Sequence, residues 1–219
     1  MFAGSKKTHT SAFFCALLMA LVFCAGGCVP RVSYTVKTLY TDPQFTGRML
    51  SGFQVALLPL LSSGGRVEFE ELEEQELFEM FRAARPDIRF VSTYDFETDF
   101  SFKTGEPALS NFYSLFFNEE ALVLKNADSL WNSVRQQYLL VYSIKSGMSV
   151  RNMDRSVYRQ FVIECELWSV EHRAIVWKAR CQGVSDDKRK SDKRMLAQSM
   201  KHLAQMIPAV QPGYGPESW

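Results

Sequence analysis

Two stretches toward the C-terminal end constrain this chain more than any other feature. Arg155 to Val170 and Ala174 to Val184 alternate apolar and polar side chains on either side of a tight turn, Glu171-His172-Arg173. Period-two alternation sends successive side chains to opposite faces, so the pattern predicts a hairpin of two long strands. Phe161, Ile163, Cys165 and Leu167 share one face of the first strand, and Ile175, Trp177, Ala179 and Cys181 share one face of the second. On the other face Val162, Trp168 and Val176 are scattered among Glu164, Glu166, Lys178 and Arg180. That mixture suits a soluble sheet with one wet side better than a strand facing lipid.

The rest of the pattern supplies partners for this hairpin. Phe53 to Leu60 is a nearly continuous apolar run, which reads as a central strand buried on both faces. Ser62-Ser63-Gly64-Gly65 breaks it, and a helix follows from Val67 to Ala84 with Phe69, Leu72, Leu77, Met80, Phe81 and Ala84 at helical spacing. Ile88 to Val91 reads as a short strand, and from Ser92 a polar and aromatic connection runs through Tyr94, Phe96, Phe100 and Phe102. Helices are expected over Leu109 to Leu124 and Ala127 to Gln136, then a strand over Tyr138 to Ile144, and a closing helix from Ser185 to Ile207. The expected fold is therefore α/β (α+β), a mixed sheet of about five strands with helices packed on it. Its order is strand, helix, strand, two helices, three strands, helix. The domain spans residues 52–207, and the tail 208–219, with Pro212, Gly213, Gly215 and Pro216, reads as loose.

The N-terminus divides into a basic start with Lys6 and Lys7, an apolar run from Ala12 to Phe23, and small residues at Ala25-Gly26-Gly27. These are the parts of an export signal. The run is about a dozen residues, whereas a helix crossing a bilayer needs about 20. Small residues directly before Cys28 resemble the lipobox of bacterial lipoproteins, with Ala25 standing where that family usually has leucine. The resemblance implies cleavage after residue 27 and lipidation of Cys28, whose acyl chains, palmitate among them, would hold the chain on a lipid bilayer. At about 0.8 kcal/mol per buried CH₂ several chains anchor a protein for good. Val29 after that cysteine is not the aspartate that retains such proteins at the inner membrane of enteric bacteria, so the family rule points to the outer membrane and a periplasm-facing domain. Residues 28–51 form a short lead-in whose Val32, Tyr34, Val36 and Tyr40 sit mostly at alternate positions, which favours an extended segment over a flexible tether.

Charge and reactive side chains narrow the function. Loss of Lys6 and Lys7 with the signal takes the net charge from +1 to −1, a balance that offers nothing to nucleic acid. Only His172 and His202 remain after processing, so a histidine triad or metal site has little material, and no cofactor motif is present. Acid pairs such as Asp186 with Asp187, or Asp95 with Glu97 and Asp99, leave a glycan-acting enzyme as the least favoured reading. Cys165 and Cys181 face an oxidising compartment and either form a disulfide or stay as two buried thiols. The acidic run Glu68, Glu70, Glu71, Glu73, Glu74, Glu76 and Glu79 fits a solvated helix face. Two surfaces are candidates for a partner: the crowded rings Phe112, Phe116 and Phe117, if they are not core, and the basic cluster Lys188, Arg189 and Lys190 with Lys193 and Arg194. The basic cluster opposes its helix dipole, so it either pairs with the acidic helix, touches lipid headgroups or is merely solvated.

The order of elements resembles a recurrent α/β domain of bacterial envelope proteins, found in the TolB N-terminal domain, the curli-secretion lipoproteins and the lipoprotein activators of penicillin-binding proteins. The residues carrying the likeness are Val55-Ala56-Leu57-Leu58-Pro59-Leu60, Tyr138-Leu139-Leu140-Val141 and the strand with Ala174-Ile175-Val176-Trp177. The resemblance implies a non-enzymatic adaptor or assembly factor that binds an envelope protein partner. The alternative is a homo-oligomeric structural subunit of a secretion or pore complex.

Overall fold

A computed structural model describes residues 32–50, 52–62, 65–66, 74–116, 127–151, 157–186 and 192–208. The strands are β1 (Val32–Thr41), β2 (Gln54–Leu57), β3 (Leu61–Ser62), β4 (Gly65–Arg66), β5 (Arg89–Val91), β6 (Tyr138–Arg151), β7 (Val157–Ser169) and β8 (Ala174–Ser185). The helices are α1 (Glu74–Ala84), α2 (Thr93–Thr104), α3 (Glu106–Ser114), α4 (Ala127–Ser133) and α5 (Asp192–Met206). The main sheet runs β1-β8-β7-β6-β2-β5, with β3 and β4 as a small pair beside β6. β2 lies parallel to β5 and β6, and the pairs β6–β7, β7–β8 and β8–β1 are antiparallel.

The mixed α/β architecture is the one expected, with more strands than the five anticipated. The main added strand is β1, built from the alternating residues of the lead-in: it pairs with β8 from Val32↔Ser185 to Thr41↔Trp177. The hairpin β7–β8 stands where alternation placed it, with one irregularity. Leu167 pairs with Trp177 and Trp168 with Ile175, so a residue is skipped between them. This bulge sends Val176 into the same core as Trp177, instead of onto the wet face with Lys178.

Two cores flank the sheet. On one side α1 and α5 bury Leu77, Phe81, Leu196, Met200, Leu203 and Ile207 over Val55, Leu57, Leu140, Tyr142, Ile163, Leu167 and Trp177. On the other, α2, α3 and α4 bury Phe96, Phe100, Phe112, Leu130 and Trp131 over Ala56, Leu58, Leu139 and Val141. β2 and β6 thus contribute apolar side chains to both cores, which is why their sequences are continuous apolar runs. Each fully buried Leu or Phe adds about 1.5–3 kcal/mol relative to exposure. Gly183 lets α5 approach β8: a Cβ there would lie 3.0 Å from Ser199 Oγ and 3.2 Å from the Tyr34 ring.

The segment read as a connection from Ser92 is helix α2. The Ser92 hydroxyl accepts from the backbone N–H of Asp95 at 3.1 Å and donates to the Asp95 carboxylate at 2.7 Å, capping the first turn. Phe96 and Phe100, four apart, face the core, while Tyr94 and Phe102 are 74% and 91% exposed. With rings on opposite sides, the aromatic spacing shows no single stripe. Residues 67–73, where the acidic helix was expected to begin, 117–126, 187–191 and the tail from 209 lie outside the described residues.

Candidate functional site

A concavity among the described residues lies at the end of the sheet where β1 and β7 finish and β6 and β8 begin. After Thr41 the chain turns: the Asp42 N–H donates to the Val176 carbonyl at 2.9 Å, the Asp42 carboxylate accepts from the Gln44 N–H at 2.7 Å, and the Phe45 N–H donates to the Asp42 carbonyl at 3.0 Å. This side-chain-stabilised turn drives Phe45 into the core, 7% exposed. A single 3-10 turn, Gly47–Leu50, then buries Leu50 and leaves Met49 outside, 41% exposed. Gly52, at φ +85°, supplies the left-handed step into β2 that a residue with a side chain rarely takes. Phe53 emerges 43% exposed.

Tyr138, the first residue of β6, sits between these rings, edge-on to Phe45 at 6.1 Å and to Phe53 at 6.2 Å. The turn after β7 closes the other wall. The Ser169 hydroxyl accepts from the His172 N–H at 3.3 Å, and Arg173 takes φ 53°. The Arg173 guanidinium is directed onto the Asp128 carboxylate and the Asn132 side chain. The resulting groove holds about 260 Å³ between Asp42, Gln44, Phe45, Met49, Phe53, Tyr138, Ser169, Glu171, His172 and Val176. A second hollow of about 290 Å³ adjoins it and adds Gln136, Gln137 and Val170. Its lining contains two carboxylates and no Lys or Arg. Burial first, and the negative charge of Glu171 second, hold the Tyr138 phenol protonated beyond its ordinary range.

A second charged cluster marks the wet face of β7 and β8. Glu164, 3% exposed, accepts from Arg180 Nε at 2.9 Å and pairs with Lys178 at 2.9 Å and Lys145 at 3.7 Å. Lys178 also reaches Glu166 at 2.8 Å. Burial alone would raise the Glu164 pKa, but the hydrogen bonds from Lys178 and Arg180 and the charges of Lys178 and Lys145 outweigh it, and the net shift is downward. Removing one member of such a network would leave the others as uncompensated charge.

The residues singled out in the sequence fall as follows. Cys28, Phe117, Lys188, Arg189 and Lys190 lie outside the described residues. Phe112 is 0% exposed and is a core residue with no surface to offer a partner; Phe116 is half-buried against Trp131 and Trp168 at 5.9 and 5.3 Å. Cys165 and Cys181 are free and buried, so the disulfide weighed between them is not formed. Their register is the reason: Cys165 lies opposite Ala179 and Cys181 opposite Ile163, a diagonal relation on one face. Of the basic cluster, Lys193 pairs with Glu76 of the acidic helix at 3.1 Å. His172 lines the groove and His202 packs on the Tyr34 ring at 5.1 Å. Asp95 accepts from the Ser92 hydroxyl that caps α2, Glu97 accepts from the Tyr113 hydroxyl at 2.7 Å, and Asp99 pairs with Arg135 at 2.9 Å. Among the described residues no group of three His, Cys, Asp or Glu side chains could hold a metal ion, and no helix is long and apolar enough to cross a membrane. The groove itself was not anticipated: its walls come from three stretches distant in sequence, 42–53, 136–138 and 169–176.

No family model and no curated protein matches this chain. Solved structures with a similar course include the PelC dodecamer from Paraburkholderia phytofirmans, at 15% identity and TM-score 0.45 over 82% of this chain and 100% of that one. The lipoprotein GNA1162 from Neisseria meningitidis follows at 11% identity and TM-score 0.37, covering 69% of this chain and 96% of its own. The LpoB C-terminal domain from Salmonella enterica gives 14% and 0.37, with 64% and 86% covered. Likeness at this level attaches no role to any residue of the groove.

Proposed function

We propose that the chain is a lipid-anchored, non-catalytic adaptor of the bacterial cell envelope that presents the end groove to a protein partner. One observation supports this reading above the others: β1 is a single strand that starts at Val32, four residues after Cys28, and delivers the chain at Asp42 directly into the groove. Ten strand residues extend about 33 Å. Acylation of Cys28 would therefore tether the end of β1 opposite the groove and leave the groove facing away from the bilayer, toward the periplasm and, by the residue after the cysteine, from the outer membrane. Exposed Met49 and Phe53 at its rim give a partner apolar surface to cover.

The test is a photo-activatable amino acid at Phe53 in living cells, with the same group at Tyr94, exposed at the start of α2 near the opposite end of β2, as a control. A discrete adduct with one foreign protein from position 53 alone supports the adaptor; equal labelling from both positions ends it. Substitution of Cys28 by serine should abolish palmitate incorporation and release the protein from membranes.

A second reading, a subunit of an oligomeric secretion or pore complex, is favoured by β1 being an edge strand whose outer side pairs with nothing among the described residues. Adducts of the chain with itself from position 53 or from β1 would favour this reading.

A further inference from the structure

Resting on the adaptor reading, we infer that the groove receives an arginine or lysine side chain carried by the protein partner. The lining combines what such a side chain needs at its two ends. Phe45, Met49, Phe53 and Val176 offer apolar surface for the methylene stem, while the two carboxylates of the lining, Glu171 and Asp42, the latter also held by the Gln44 N–H, are there for the cationic head. The lining holds no Lys or Arg, and its one basic side chain is the imidazole of His172. Arg173, next to His172 in the chain, is committed to Asp128 and Asn132 outside the lining, so the guanidinium nearest in sequence does not fill the place.

The polar atoms between the walls match the same guest. The Tyr138 oxygen is a neutral hydroxyl that accepts as well as donates, and Ser169 and Gln44 add further acceptors to the lining. A guanidinium donates in several directions at once and lies well on an aromatic face, and exposed Phe53 provides one. An anionic guest meets two carboxylates. The volume of about 260 Å³ suits one long side chain.

The inference is tested with the acylated protein purified in detergent and a fluorescent peptide, acetyl-Gly-Arg-Gly-Arg-Gly-amide, followed by anisotropy. Two comparison probes are the same peptide with citrulline for arginine, which keeps shape and loses charge, and a glucosamine hexamer as competitor. The expected result is saturable binding that weakens with salt and falls about tenfold for citrulline. Glu171→Gln or Asp42→Asn should each lower it about tenfold, the size of one charge-assisted hydrogen bond. Melting curves identical to the parent show that these surface variants fold. Equal binding of the citrulline peptide, no effect of Glu171→Gln, no binding at all, or tighter binding of the glucosamine hexamer overturns the inference. Failure here with a foreign adduct still formed from position 53 leaves the adaptor standing without its cationic guest. Absence of that adduct removes the adaptor reading itself.

Discussion

Arg85 and Asp87 form a two-point ion pair, Nε to Oδ1 at 2.8 Å and NH2 to Oδ2 at 2.7 Å, and the same guanidinium closes the end of α5. Its remaining donors go to the carbonyl of Ile207 and, at 2.9 Å, to that of Pro208. Both carbonyls lie just past Met206, the last residue of α5, so one buried side chain ties the exit of α5 to the chain just past α1. Arg85→Met keeps the stem and removes every donor. Loss of a buried, paired charge of this kind costs about 3 kcal/mol, and Asp87→Asn costs less because Asp87 is 35% exposed. Urea denaturation checks both values, and equal stability of Arg85→Met and the parent refutes the assignment.

The network around Glu164 makes stability depend on acid. Its folded pKa lies below the ordinary carboxylate value, so the unfolded chain binds the proton more readily. The stabilisation is complete above the unfolded value, about pH 4.3, and drains away as pH falls through the lower folded value. Glu164→Gln should cost roughly 2 kcal/mol at pH 7, since three cations lose their shared partner. It should also flatten the stability profile below about pH 4. Denaturation midpoints of parent and variant that stay parallel down to pH 3 would contradict this.

Cys165 and Cys181 should be silent in the native protein. Burial first, with Glu166 adding to it, pushes the Cys165 thiol far up; burial also raises Cys181, with Ser199 offsetting part of the effect. A thiol held protonated is a poor nucleophile. A maleimide reagent at pH 7 is expected to label neither residue in the folded state and both in denaturant, as read by intact mass. Rapid labelling of either in the native protein would place it nearer solvent than found here.

Two phenylalanines ten residues apart should behave in opposite ways. Phe112→Ala empties a site ringed by Phe96, Phe100, Phe116 and Trp131, a loss of about 4 kcal/mol. Phe102→Ala touches a side chain that is 91% exposed and should change stability by less than about 0.5 kcal/mol. Calorimetric melting of the two variants side by side separates core from surface.

That contrast shows how much of the molecule was legible beforehand. Alternation in Arg155 to Val184 and the apolar runs at Phe53 and Tyr138 announced the sheet, because a side chain's face follows from its position along a strand. The rings of residues 92–117 did not sort themselves. Phe96, Phe100 and Phe112 are core and Tyr94 and Phe102 are not, and hydrophobicity alone is identical for all the phenylalanines among them. What separates them is the cap at Ser92, which sets the phase of α2 and so decides which rings point inward. The groove was less legible still. Asp42, Phe53, Tyr138 and Glu171 meet only because β1, β2, β6 and the turn before β8 share one end of the sheet, a long-range relation that no local window contains.

The pairing of β1 with β8 also fixes how the protein responds to force. Hydrogen bonds of an antiparallel ladder lie across the strands. A pull on residue 32 in one direction and on the start of β8 in the other therefore acts along the strands, and the bonds from Val32↔Ser185 to Thr41↔Trp177 are sheared together. Peeled from its end, the same ladder would open one bond at a time. Tension applied between the head of β1 and the opposite end of β8 therefore runs in the strong direction of the ladder and does not unzip it.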